Sequence, residues 1–154
     1  RIALERGDVD AWAGLDPLLA ASQLQAGSQL LYRNIEFNSY GVISVTETFA
    51  AEHADTVEQV IKAYEQARTW ARAHPDDLAA LLAKESGLSL DVAKLQLSRT
   101  DFSDAQPGPK QVEALKAAAP ILTAEGLVRK GVDVNEVVER LIEPRFSADV
   151  IGKQ

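Results

Sequence analysis

Val9, Ala11 and Ala13 alternate with Asp10 and Trp12, the two-residue period of a strand. Asp16 and Pro17 then supply an N-cap and a first helical residue for a helix running to about Ala26, with Gly27 as its stop. Gln29 to Arg33 reads as a second short strand, and Asn34 to Tyr40 as a polar and aromatic crossing segment. Gly41 to Thr46 reads as a β-branched strand.

From Ala54 the period changes to that of a helix. Val57, Val60, Ile61, Tyr64, Ala67 and Ala71 share one face, begun by Asp55 with Glu58 three residues later. His74-Pro75 breaks this helix, and the next turns Leu78, Leu81 and Leu82 inward until Ser86-Gly87. Leu90 to Leu97 follows Ser89 as a third helix. Pro109 opens a long one through Val112, Leu115, Ala119 and Leu122, closed by Gly126. Asp133 and Glu136 cap a last helix that carries Val137, Val138, Leu141 and Ile142 and ends at Pro144; the tail, 147–154, is expected to be mobile. The pattern predicts an α/β fold: short strands followed by a helix-rich segment, with the helices covering a sheet whose remaining strands lie outside this chain.

Composition narrows the functional classes. The 154 residues are 46% hydrophobic and 25% charged, enough for one substantial core. The net charge is -7 and the basic residues are scattered, which argues against a nucleic-acid surface. A small anion is not excluded, because backbone amides can bind one without Lys or Arg. The absence of Cys removes disulfides, thiolate nucleophiles and Cys-ligated metals. No run approaches the roughly 18 to 20 apolar residues that span a bilayer. The chain opens on Arg1 and holds no Met, so it is expected to be the C-terminal part of a longer protein.

Catalytic signatures are missing: there is no G-x-S-x-G elbow, phosphate loop, H-E-x-x-H or dinucleotide fingerprint. His53 and His74 flank one predicted helix at opposite ends, too far apart to share a metal, and read as surface or capping residues. No catalytic residue, metal or cofactor is expected. Asp16 is the sharpest candidate for a binding role, since ligands gather where a helix presents its N-terminal amides; the alternative is a cap alone. A carboxylate beside a bound anion is repulsive unless the ligand also carries an amine or the carboxylate turns into its own helix. Trp12 either lines a pocket or packs inward. Asn38, Ser39 and Tyr40 offer amide, hydroxyl and phenol donors suited to an oxyanion, or form a polar loop. Arg99 sits at a helix-to-loop boundary and is read as a surface partner of Asp101 or Asp104 rather than an anion ligand.

The run Gly7-Asp8-Val9-Asp10-Ala11-Trp12-Ala13-Gly14-Leu15-Asp16-Pro17 resembles the G-x-hydrophobic-D-A-hydrophobic-hydrophobic-x-x-D-P segment of periplasmic solute-binding proteins of ABC importers, in the aliphatic sulfonate, taurine and nitrate family. The order of the later features, through His74-Pro75-Asp76, extends the resemblance along nearly the whole chain. It implies part of a two-lobed periplasmic-binding-protein (type II) clamp. Residues 1–34 would finish one lobe, 35–41 would cross a hinge, and 42–146 would complete the other lobe. It further implies a non-enzymatic monomer, periplasmic or anchored on the outer face of the cytoplasmic membrane. That protein would capture a small sulfonate-type oxyanion between the lobes and deliver it to a membrane permease. Its ligand-binding positions would fall at Asp16, Leu15 and Trp12, and at Asn38, Ser39 and Tyr40. Leu15 stands where many relatives carry an aromatic side chain, so no stacking contact is expected from it. The alternatives are a thiamine-pyrimidine precursor binding protein and a helical interaction module without a small-molecule site. A related pyrimidine-synthesising enzyme depends on a cysteine-rich motif that this chain lacks.

Overall fold

Helices carry the regular structure of the residues that the computed structural model describes, 1–35, 40–103 and 105–151. In chain order they are α1 (Ile2–Arg6), α2 (Leu18–Ala26), α3 (Glu47–Glu52), α4 (Ala54–Ala73), α5 (Pro75–Ser86), α6 (Leu90–Leu97), α7 (Pro109–Ala124), α8 (Val134–Leu141) and α9 (Arg145–Ile151). The expected α/β fold is therefore corrected: among the described residues there is no strand and no sheet. Val9 to Ala13, Gln29 to Arg33 and Gly41 to Thr46 run without ladder pairing, although each has the composition of a strand. Alternation marks only a face that could be buried, whereas a strand exists through a partner that satisfies its amides and carbonyls. Apart from the half-buried Trp12, the side chains of these segments stay in solvent, Leu31 at 80% and Val42 at 70% exposure.

Helix ends follow the local chemistry closely. Gly27 adopts φ 69° after α2, where the Ser22 carbonyl accepts the Gly27 amide, and Gly87 adopts φ 67° after α5. This left-handed conformation favours glycine. Pro75 occupies the first turn of α5, while Ser89 Oγ accepts the Val92 amide at 3.4 Å and caps α6. Asp133 accepts the amides of Asn135 at 2.9 Å and Glu136 at 3.3 Å to open α8. The structure adds α1, α3 and α9. Helix α3 starts on Thr46, whose Oγ1 accepts the Phe49 amide at 3.2 Å, and α9 buries Phe146 and Ser147.

The chain divides into two compact units. The first comprises Arg1–Asn38 with Arg68–Phe102, and the second Ser39–Ala67 with Ser103–Gln154. In the first, α6 packs against both α2 and α5. Its core is Ala20, Ala21 and Val92, with Leu88 and Leu95 packed against it. Small side chains at Ala20 and Ala93, both fully buried, let two helices approach closely. The loop after α2 is tied back by Ser28, whose amide donates to the Ser22 carbonyl at 3.2 Å and whose Oγ lies 2.7 Å from the buried Ser22 Oγ.

In the second unit α7 packs against α8, burying Ala119 and Val138, with Lys116 Nζ 2.7 Å from Glu139 Oε1. Arg140 bonds Glu47 at 2.7 Å. The face expected along α4 is only partly covered. Val57 and Ala71 are buried, but Val60 and Tyr64 are 41% and 62% exposed, and Glu65 is buried in their place.

The core makes two opposite demands. Val92→Ala should cost about 2 kcal/mol by removing buried methyls. Ala20→Leu should cost about 1–3 kcal/mol by forcing α2 off α6. Urea unfolding of both variants checks these values, and equal stability of either variant with the parent would contradict the packing described.

Candidate functional site

Asp16 lies in the turn that leads into α2. Pro17 takes the N-cap position that the sequence assigned to Asp16, yet the carboxylate still performs the capping. Asp16 Oδ1 accepts the Ala20 amide at 2.9 Å, while the neighbouring amides of Leu19 and Ala21 find the carbonyls of Leu15 and Pro17 at 3.0 and 2.9 Å. A side-chain oxygen thus satisfies an amide of the first turn that the helix itself leaves without a partner. Its negative charge also lies at the positive end of the helix dipole.

Arg99, 83 residues further along the chain, reaches the same carboxylate. Its backbone follows the last turn of α6, its amide donating to the Gln96 carbonyl at 3.0 Å, where a cation opposes the negative end of that helix. Nη1 donates to Asp16 Oδ1 at 3.2 Å and to Oδ2 at 3.3 Å, and Nη2 donates to Gln23 Oε1. The side chains of Arg99 and Asp16 are only 13% and 17% exposed. Water therefore screens this pair far less than the open Lys94–Asp76 pair, whose side chains are 50% and 88% exposed.

Sequence reasoning expected Arg99 to pair with Asp101 or Asp104. The structure gives it Asp16 and Gln23 as partners, and Asp104 lies outside the described residues. Gln23 had not been singled out. The available signal was helical phase, since residues 16, 20 and 23 fall on one face at spacings of four and three.

The remaining candidates are distributed differently. Trp12 is half-buried, and its ring lies so close over Gly14 that a Cβ there would meet the ring's Cη2 at 2.1 Å. Leu15 is 69% exposed beside Asp16. Tyr40 is 43% exposed and belongs to the second unit, whereas Trp12, Leu15 and Asp16 belong to the first. Asn38 and Ser39, with most of the expected crossing at 35–41, lie outside the described residues. His53 and His74 sit at helix ends. His53 lies 4.8 Å from Phe49 between ring centroids, and His74 stacks on Trp70 at 5.2 Å with Nδ1 2.9 Å from the Trp70 carbonyl. Among the described residues no three His, Cys, Asp or Glu side chains gather as a metal site. No helix among them is long and apolar enough to cross a membrane.

The chain is 30% identical over 138 residues to a protein of Escherichia coli (strain K12) named for binding aliphatic sulfonates, covering 88% of this chain and 43% of that protein. It is 27% identical over 139 residues to a protein of the same name from Bacillus subtilis (strain 168), covering 89% of this chain and 42% of that one. The chain resembles the aliphatic sulfonates-binding proteins. The resemblance read from the Asp-Pro segment thus holds over most of its length, and both relatives are named as binding proteins rather than enzymes. The chain spans less than half the length of these curated relatives. No family model matches the chain, and no solved structure matches it.

The charge pair has a measurable signature. Arg99→Ala should lower stability by about 2–3 kcal/mol, because it leaves the Asp16 carboxylate half-dry and without its cation. In a double-mutant cycle with Asp16→Asn, the coupling read by chemical denaturation should be about 1–2 kcal/mol. A coupling near zero would show that the pair contributes nothing.

Proposed function

We propose that this chain is part of the solute-binding component of an ABC importer, and that the component captures a small aliphatic sulfonate and hands it to a membrane permease. The observation that carries this reading is the similarity, over nearly nine-tenths of the chain, to two proteins named for binding aliphatic sulfonates. Such a protein works outside the cytoplasmic membrane, in the periplasm or anchored to the membrane's outer face. It releases its ligand unchanged and does no covalent chemistry.

The local chemistry supports an anionic ligand with an apolar tail. Asp16 is the nearest negative charge to the start of α2, and Arg99 offsets it, so a sulfonate approaching that turn meets a neutral pair rather than a bare carboxylate. Leu15, exposed beside it, offers apolar surface to an alkyl chain. Trp12, Asn38, Ser39 and Tyr40 are kept as proposed ligand-binding residues on their side-chain chemistry alone, the amide, hydroxyl and phenol donors being suited to sulfonate oxygens.

A thermal-shift panel on the whole protein tests the reading, because a ligand that binds only the folded state raises the melting temperature. Ethanesulfonate should stabilise the protein, and sulfate, nitrate and an aminopyrimidine should do so less or not at all. Stabilisation by the aminopyrimidine alone would replace the reading with a pyrimidine-precursor binder. Silence across the panel would contradict a sulfonate site.

A further inference from the structure

We propose that Arg99 sets the choice between plain and amine-bearing sulfonates, by withholding the Asp16 carboxylate from a ligand ammonium group. The inference rests on the sulfonate-binding reading above and adds to it a specificity-determining residue that does not itself touch the ligand.

A carboxylate offers about four lone-pair directions to donors. At Asp16, Oδ1 already serves the Ala20 amide and Arg99 Nη1, and Oδ2 serves Arg99 Nη1 as well. An ammonium arriving at the remaining direction would shed its hydration to sit beside a guanidinium of the same charge. The guanidinium is not free to retreat, because Gln23 Oε1 accepts its other terminal nitrogen and its side chain is 13% exposed. A plain alkanesulfonate brings no cation and loses nothing by this arrangement. With Arg99 removed, the same carboxylate becomes an unpaired anion at the turn, the chemistry that selects an aminoalkanesulfonate.

Arg99 is thus a positioning residue, and ligand preference is the readout that a merely structural role would leave unmoved. Calorimetric titration of the whole protein with ethanesulfonate and 2-aminoethanesulfonate provides it. The unsubstituted protein should bind ethanesulfonate at least as tightly as the amine. Arg99→Gln should move the ratio of the two affinities about tenfold toward 2-aminoethanesulfonate, the scale of one charge-assisted hydrogen bond, and adding Asp16→Asn should abolish that gain. In the Arg99-intact protein Asp16→Asn should change the affinity for both ligands by the same factor, a measurement that stands even if Arg99→Gln does not fold. A ratio unchanged in folded Arg99→Gln would overturn the proposal. So would an Asp16→Asn variant that loses 2-aminoethanesulfonate selectively, since Asp16 would then bind the ammonium with Arg99 in place. If the unsubstituted protein binds neither sulfonate, the functional reading itself fails and the inference falls with it.

Discussion

Two helices remote in sequence meet through one carboxylate. Asp16 completes the first turn of α2 through Ala20 and accepts Arg99 from the end of α6, across a sequence separation of 83 residues. Each charge stands where its helix favours it, negative at the start of α2 and positive at the end of α6. Beneath this polar clasp lies the small apolar contact of Ala20, Ala21 and Val92. The two layers reinforce each other. Close approach of the helices keeps water from the ion pair, and the pair fixes the register at which Ala20 meets α6. Loss of either should loosen the other, so mutations in the two layers should not add independently.

The clasp also bears on ligand chemistry. Read in the sequence alone, an aspartate at this turn could have served an amine or merely capped a helix. Its carboxylate caps and is charge-paired as well, which turns an anion-repelling position into a neutral one. On the proposed reading, a sulfonate at this turn meets donors and apolar surface without working against a fixed negative charge, even in a chain whose net charge is -7.

What could be read in the sequence was what depends on near neighbours. Gly27, Gly87, Pro75, Ser89 and Asp133 mark helix ends because their effects act within one turn, and α2 and α4 to α8 lie close to their expected positions. The strands were misread because pairing is non-local: the β-branched run from Gly41 to Thr46 looks like a strand in isolation and is left exposed. The same run conceals α3: its pattern ends a strand at Thr46, whereas Thr46 caps a helix. At the site, Asp16 was legible as a cap and Arg99 as a paired cation. Their partnership was not, because proximity across 83 residues leaves no trace in a single sequence.

The most direct test of this account is native-state hydrogen exchange at the Ala20 amide, a first-turn amide whose acceptor is the Asp16 side chain rather than a helix carbonyl. If the carboxylate is held by Arg99 and turned into α2, that amide should exchange as slowly as the buried amides of α2 around Ala21 and Ser22, only through opening of the helix pair. Exchange as fast as in the exposed loops would mean that the carboxylate does not stay on the helix, and the clasp between α2 and α6 would not be the constraint described.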